Sequence, residues 1–269
     1  MRMSTATLKC ILIGLFLGLS FPIAIGKALN LSPARDYYEI RIYRVTDKRQ
    51  EAEVENFLKV AYIPALHRAG ISKVGVFKPV ESDTASFGKR IYVFIPFTSL
   101  EEFSKLDAKL EKDNPLQAAA AGYWTAPYDN PPFARMETIL LKSFVDAPNF
   151  QVPSLSGPLA DRIYELRSYE GPTERIFANK VQMFNKGDEI GLFKKLGFNA
   201  VFYSEVISGS RMPNLMYMTS FNNMTTHDEH WKAFSSAPEW KTLSAMPEYQ
   251  HNVSKIEIFL LHPTDYSEI

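Results

Sequence analysis

The chain has 269 residues, of which 46% are hydrophobic and 13% aromatic, so it can bury a substantial core in one or two domains. Its 30 basic residues balance 30 acidic ones, and no basic run occurs, which argues against a nucleic-acid-binding protein. A single cysteine, Cys10, excludes a disulfide framework within the chain.

The first 26 residues differ from the rest of the chain. Arg2 and Lys9 precede an uncharged apolar run, residues 10–26, that ends in small residues typical of a cleavage site. This pattern predicts a signal peptide over residues 1–26 and a secreted or periplasmic protein, with an uncleaved membrane anchor as the alternative. Cleavage would leave 28 basic and 30 acidic residues, a net charge near −2, and no cysteine for disulfide or thiolate chemistry.

Residues 35–144 show the order β-α-β-β-α-β. Alternating apolar patterns predict strands at 37–44, 72–79, 90–97 and 134–144. A helix is predicted over 50–69, where apolar residues recur at helical spacing until Gly70 ends the pattern. A second helix is predicted after Ser99, because Ser99 and Glu102 have the spacing of a capping box.

A segment rich in proline, residues 145–161, is typical of a linker, and after it the same order returns over 162–264. The helices of this second unit are predicted over 172–196, ended by Gly197, and over 226–234. Its strands are predicted at 162–169, 199–206, 214–221 and 255–262.

The clearest repeat is the strand sequence YYEIRIY at 37–43, which returns as IYELRSY at 163–169. We therefore expect an α+β protein built by tandem duplication of a ferredoxin-like βαββαβ module. The third strand of each module is apolar on both faces, so a second layer must cover the side away from the helices. If that layer is the other module's sheet, the two modules form a pseudo-dimeric α/β barrel with helices outside.

The strand sequences YEIRIY and YELRSY, the sequence KVGVF at 73–77 and the sequence APEW at 237–240 resemble the NIPSNAP family, within the dimeric α/β barrel superfamily. The resemblance covers residues 37–262, and the first module departs from it at 114–117, where NPLQ replaces APEW. It implies the barrel fold, and at superfamily level a relationship to small-molecule oxygenases and isomerases.

Polar residues at alternate positions of the two repeated strands are the candidate ligand-binding residues: Glu39, Arg41, Tyr43, Glu165, Arg167 and Tyr169. If the apolar residues between them face the helices, the two polar sets converge inside the barrel, where glutamate and arginine neutralise each other. Glu137 and Glu257, on the neighbouring fourth strands, would add to this cluster. It forms either the polar floor of a ligand cavity or a structural network that fixes strand register.

Three histidines are weaker candidates. His67, at the end of the first helix, could act as a catalytic base at a barrel mouth or simply cap the helix C-terminus. His227 and His230 could hold a metal ion, but no third ligand occurs at suitable spacing, so no metal or cofactor is predicted. The aromatic, proline-rich stretch 122–133 would be a lid or a cap of the core.

Three functions are compatible with these features. The leading hypothesis is a secreted or periplasmic protein that binds a small apolar or aromatic molecule in the barrel. The first alternative is a cofactor-independent monooxygenase or isomerase that uses His67 or a buried glutamate as base. The second is a structural or partner-binding protein with a filled barrel. Membrane contact is expected only if the leader is uncleaved, and self-association is compatible with the sequence.

Overall fold

A closed eight-stranded barrel organises residues 34–269, the part of the chain that the computed structural model describes. The predicted signal peptide and Cys10 lie outside these residues. The strands, in chain order, are β1 Tyr37–Arg44, β2 Gly75–Pro79, β3 Arg90–Phe97, β4 Arg135–Ser143, β5 Ile163–Glu170, β6 Asn199–Ser208, β7 Asn214–Phe221 and β8 Lys255–Pro263. Each strand pairs antiparallel with two neighbours, and the order around the barrel is β1-β3-β2-β8-β5-β7-β6-β4.

The helices lie between these strands in the sequence. They are α1 Lys48–Phe57, a π-helical turn Leu58–Tyr62, α2 Ile63–Arg68, α3 Leu100–Leu110, α4 Asn114–Trp124, α5 Glu174–Phe184, α6 Glu189–Lys195, α7 Met224–Ser236 and α8 Pro238–Ala245. Single 3₁₀ turns occur at Leu159–Asp161 and Pro247–Tyr249. Within residues 34–269, no helix has the length and apolarity needed to cross a membrane.

The two halves of the structure, residues 34–144 and 162–269, contribute four strands each. In both halves the fourth strand lies beside the first, the first beside the third and the third beside the second. The halves join where β2 pairs with β8 and β4 pairs with β6. Because all strand edges are paired in this way, the barrel offers no open edge to another chain.

The barrel interior is filled by apolar side chains from both halves. Tyr38, Ile40 and Ile42 of β1 point inward, as do Tyr164 and Leu166 of β5, and all five are buried in one cluster. Phe94 and Phe202 stack there with their ring centroids 5.1 Å apart. These side chains occupy the barrel interior, where the leading hypothesis placed the ligand.

The prediction that the two polar sets converge inside the barrel is wrong. Glu39, Arg41 and Tyr43 occupy the opposite face of β1, under the helices of their own half; Glu165, Arg167 and Tyr169 do the same on β5. Alternation defines two faces of a strand but does not say which face is inside. The interior is closed by sheet on all sides and so takes the more apolar face of each of these two strands. The helix-covered face keeps gaps through which the Arg41 side chain remains 16% exposed.

The predicted linker, residues 145–161, packs against the barrel instead of running free. Phe150 and Leu155 pack against the interior cluster. The backbone of the segment is tied to the barrel, because Asp36 N–H donates to the carbonyl of Pro148 and Gln151 N–H to that of Val201, both at 2.8 Å. This segment thus helps to cover the interior.

The helical layer differs from the prediction in three places. The helix predicted over 172–196 is interrupted between α5 and α6, where Asp188 adopts a positive φ of 60°. Helices α4 and α8 were not predicted; both begin with a proline in the first turn, where the absent N–H costs nothing. The first helix contains the π turn Leu58–Tyr62 just before Pro64, whose ring cannot continue regular helical hydrogen bonding.

A cavity between the sheet and the helices of the first half

A cavity of about 390 Å³ opens on the helix-covered face of β1. Its floor is the strand, with Arg41 and Tyr43, and one wall is the π turn, with Tyr62. The ends of α3 and α4 and the segment before β4 complete it, with Asp107, Leu110, Glu111, Leu116, Gln117, Tyr123, Trp124, Phe133 and Met136. The site is therefore built from one half of the chain.

Arg41 is the cationic group at the floor. Its Nε donates to Glu39 Oε1 at 2.8 Å, and its Nη2 lies 2.8 Å from the same oxygen. Its Cζ lies 4.9 Å from the ring centroid of Tyr62, a cation–π contact. Burial acts to lower the pKa of Arg41, but Tyr62, Glu39 and Tyr43 more than offset it and the pKa is raised. Arg41 is thus a permanent cation whose charge Glu39 balances.

Two tyrosine hydroxyls at the cavity are buried without a hydrogen-bond partner. Within residues 34–269, neither Tyr62 Oη nor Tyr123 Oη makes a hydrogen bond. Burial raises the pKa of Tyr62 and of Tyr123, so both remain neutral and can donate or accept. Leaving such a group unpaired costs about 1–3 kcal/mol. A polar group of a bound molecule would recover that free energy.

The remaining wall is aromatic. Phe57 and Tyr123 stack with ring centroids 4.0 Å apart and an interplanar angle of 4°, and Trp124 meets Phe57 edge-on at 6.3 Å. Phe133, in the stretch predicted to be a lid or cap, also lines the cavity. Flat apolar surfaces of this kind favour a planar, aromatic ligand.

The rim is acidic. Asp107 and Glu111 line the cavity from exposed positions at the end of α3. Because Glu39 already balances Arg41, the charges around the cavity sum to a negative value. A ligand with its own carboxylate would be repelled, whereas a neutral polar aromatic molecule would not.

In the second half, the corresponding space is occupied by the protein's own side chains. Arg167 Nε donates to Glu165 Oε1 at 2.6 Å, and Arg167 Nη1 donates to Tyr169 Oη at 3.1 Å. The Trp231 ring lies over the guanidinium, with its centroid 3.6 Å from Arg167 Cζ. Phe234 packs beside Trp231, with ring centroids 5.5 Å apart.

Comparisons with known proteins agree with this architecture. Residues 164–268 match the sequence model of the NIPSNAP family. The second half of the chain is a NIPSNAP domain. No curated protein matches the chain.

Solved structures extend the likeness of the fold beyond the NIPSNAP domain. A monooxygenase-like protein from Lactobacillus acidophilus has a TM-score of 0.55 at 11% identity, over 85% of this chain and 94% of that one. One from Fusobacterium nucleatum has a TM-score of 0.56 at 8% identity, over 86% and 93%. An anthrone oxidase-like protein has a TM-score of 0.51 at 10% identity, over 87% and 93%. These likenesses show a fold of the dimeric α/β barrel type.

Histidines 227 and 230 of the NIPSNAP domain contact protein groups. His227 lies 3.1 Å from Glu165 Oε2 through Nε2 and 2.8 Å from Asp228 Oδ1 through Nδ1. His230 Nδ1 contacts the Thr226 carbonyl at 2.6 Å. Among the described residues, no group of three or more metal-binding side chains comes together.

The other predicted site residues lie away from the cavity. His67, proposed as a base, contacts Glu268 at 2.9 Å and is not among the cavity-lining residues. The prediction that Glu137 and Glu257 add to the glutamate–arginine sets is wrong. They pair with Ile42 and Ser168, on the inward faces of their strands, whereas the sets lie on the outward faces. Both glutamates lie at one end of the barrel, where Arg211 contacts Glu257 and Arg44 lies 3.6 Å from Glu137.

Several cavity residues were missed by the sequence analysis. Tyr62, Asp107 and Gln117 carry no motif of their own. The repeat does contain a signal. Aligning the helix caps Ser99 and Asn223 places Asp107 opposite Trp231. Aligning the first-turn prolines of α4 and α8 places Gln117 opposite Trp240.

Proposed function

We propose that the protein binds a small, planar aromatic molecule with neutral polar substituents in the cavity over Arg41. The observation that carries this proposal is the pair of buried tyrosine hydroxyls, Tyr62 and Tyr123, that have no partner within residues 34–269. Native structures seldom leave such groups unpaired, and both lie on the wall of one cavity. A ligand oxygen that bonds to them would remove this cost.

The proposed ligand chemistry follows from the lining. Tyr123, Phe57 and Trp124 provide flat apolar surface, while the hydroxyls and Arg41 can donate to a carbonyl or hydroxyl oxygen. The acidic rim disfavours carboxylates. Phenols, quinones and aromatic ketones of two or three rings fit this description better than aromatic acids.

The test is a titration of the purified protein with 1-naphthol, followed by isothermal calorimetry, beside native mass spectrometry for any ligand that co-purifies. Replacing Tyr62→Phe or Tyr123→Phe should weaken binding about fivefold to tenfold, because each loses one hydrogen bond of about 1 kcal/mol. Tyr164→Phe is the matched control, because its hydroxyl is also buried and unpaired in the described chain but lies in the barrel interior. Unchanged affinity in both cavity variants would contradict the proposal.

A structural or partner-binding role is the competing proposal, and the filled barrel interior favours it. It predicts no specific ligand for the cavity and no effect of Tyr62→Phe on any small-molecule titration. The enzyme alternative predicts in addition that a bound aromatic ligand is converted, with dioxygen consumed in the monooxygenase case. Oxygen-electrode and product measurements on the same samples separate it from simple binding.

Two further proposals concern the whole chain. We propose that residues 35–144 and 162–264 are duplicated ferredoxin-like modules; the same fourth-first-third-second strand order in both halves supports this. We also propose export to the periplasm or outside the cell, from the apolar leader over residues 1–26. The intact mass of the protein recovered from its native compartment tests the second, since cleavage would remove the leader.

A further inference from the structure

The second half shows how a ring can be held over the strand arginine. Trp231 stacks on Arg167 at 3.6 Å, and its Nε1–H donates to Glu165 Oε2. The same oxygen contacts His227 Nε2 at 3.1 Å, while Glu165 Oε1 is bound by Arg167. Both oxygens of this buried carboxylate are therefore satisfied, one of them by an aromatic N–H donor.

The first half has the same strand residues but no such donors. Its helix α3 starts after the cap Ser99, as α7 starts after the cap Asn223. Counted from these caps, Phe103 stands in the place of His227 and Asp107 in the place of Trp231. A phenyl ring and a carboxylate cannot donate to a glutamate.

Glu39 is consequently half-satisfied. Its Oε1 accepts from Arg41 at 2.8 Å and from Thr138 Oγ1 at 3.3 Å. Within residues 34–269, no hydrogen bond reaches the other oxygen, Oε2, although the side chain is only 2% exposed. Oε2 is not among the fully buried side-chain atoms that lack a partner, so it keeps some accessible surface that a donor can reach. A hydrogen bond to a charged group such as this carboxylate stabilises by about 1.5–3 kcal/mol.

From this comparison we propose that the ligand of the first-half cavity supplies what Trp231 supplies in the second half. Its aromatic ring stacks on the Arg41 guanidinium, and an N–H or O–H on that ring donates to Glu39 Oε2. The inference rests on the proposed function and narrows it to aromatic hydrogen-bond donors such as indoles, phenols and aromatic amines. In this proposal, Trp231 makes the same two contacts in the second half that the ligand makes in the first half.

Three features of the first half agree with this assignment. Arg41 lines the cavity, and 16% of its side chain stays exposed although the Tyr62 ring already lies over its guanidinium at 4.9 Å. The side chain of Asp107 is smaller than an indole, which leaves the space that Trp231 fills in the other half. The acidic rim formed by Asp107 and Glu111 favours a donor over an anion.

Matched ligand pairs test the donor directly. Indole and 1-methylindole differ only in the N–H, and 1-naphthol and 1-methoxynaphthalene only in the O–H. Calorimetric titration of the wild-type protein should give at least about tenfold tighter binding for the donor of each pair, the ratio expected from one hydrogen bond to a charged acceptor. The variant Glu39→Gln should reduce this ratio severalfold, whereas Glu165→Gln, the same change in the filled half, should leave it unchanged.

The outcomes separate the inference from the function on which it rests. Equal affinity within each pair overturns the donor assignment while leaving aromatic binding in the cavity intact. Binding of none of the four compounds overturns both. If the donor preference persists in Glu39→Gln and falls in Glu165→Gln, the acceptor is Glu165 in the second half, and the assignment to Glu39 is overturned. Circular dichroism checks that the variants fold, and the wild-type ligand pairs decide the question even if one variant does not.

Discussion

Asp107 and Trp231 occupy equivalent positions, each eight residues beyond the capping residue of its helix. The space over the strand arginine is open beside Asp107 and filled by Trp231. Trp231 covers Arg167 and contributes to a continuous aromatic cluster. Asp107 is exposed and borders an open cavity over Arg41. This helix position thus carries an indole where the space between sheet and helices is filled and a carboxylate where that space is an open cavity.

Replacing Asp107→Trp should close the first-half cavity. The new indole can stack on Arg41 and donate to Glu39, as Trp231 does in the second half. We expect 1-naphthol affinity to fall at least about tenfold, with the midpoint of urea unfolding unchanged or higher because apolar area is buried. Asp107→Asn, which keeps the side chain small, is the control and should still bind. Undiminished binding by the tryptophan variant would show that the ligand lies elsewhere.

Replacing Trp231→Ala should open a cavity in the second half, where Asp107→Trp is expected to close one in the first half. Removing a packed indole creates a cavity and leaves Glu165 Oε2 with one donor fewer, so we expect a loss of about 3–5 kcal/mol in unfolding free energy. Trp124→Ala is the comparison, because Trp124 is 48% exposed and its truncation should cost less. Added indole should raise the melting temperature of Trp231→Ala by refilling the space. Equal losses in the two variants would contradict the assigned packing role.

Much of the fold could be predicted from the sequence, because it depends on local and repeated patterns. The strands follow from alternation, and the helix starts at Ser99 and Asn223 follow from capping residues. The eight-stranded barrel follows from the need to cover apolar third strands on both faces. These inferences need no knowledge of which side chains meet across the core.

The site could not be located in the same way. Glu39 and Arg41 were recognised as a pair, and the structure confirms that they are bonded at 2.8 Å. Their side of the sheet was predicted wrongly, because period-two alternation is symmetric between the two faces. The cavity itself is lined by residues distant in sequence, such as Tyr62 and Tyr123. Their hydroxyls can be recognised as unpaired only when the neighbouring atoms are known.

The buried ion pair of Lys180 and Glu189 should behave as a coupled unit. Their side chains are 5% and 2% exposed and lie 2.9 Å apart. Lys180→Met leaves a buried carboxylate without its cation and should cost about 3–5 kcal/mol of unfolding free energy. The double variant with Glu189→Gln removes that charge and should be more stable than the single one. A double variant that is as unstable as the sum of the two single variants would show that the pair is not coupled.

The same pair gives a pH dependence with a defined sign. Burial raises the pKa of Glu189, and Lys180 opposes this only in part. Without Lys180, the folded protein should hold the Glu189 proton still more tightly. Because the folded state then binds a proton that the unfolded state has lost, the unfolding free energy of Lys180→Met should fall as the pH rises above about 4.3. Urea unfolding at a series of pH values measures this slope, which Glu189→Gln should abolish.

His227 should stabilise the protein most in its protonated form. Burial lowers its pKa, but the hydrogen bonds to Glu165 and Asp228 outweigh burial, and the pKa of His227 is raised. A histidine of this kind gives its full stabilisation below its unfolded pKa of about 6.5, and that stabilisation is lost as the pH rises through the folded pKa. The difference in unfolding free energy between wild type and His227→Gln should therefore be larger at about pH 5.5 than at about pH 8.5. Glu165→Gln, which weakens the partner, should reduce that difference, and an NMR titration of the His227 ring reports its pKa directly. A wild-type advantage that is constant across this range would contradict the assignment of His227 as a protonated partner of Glu165.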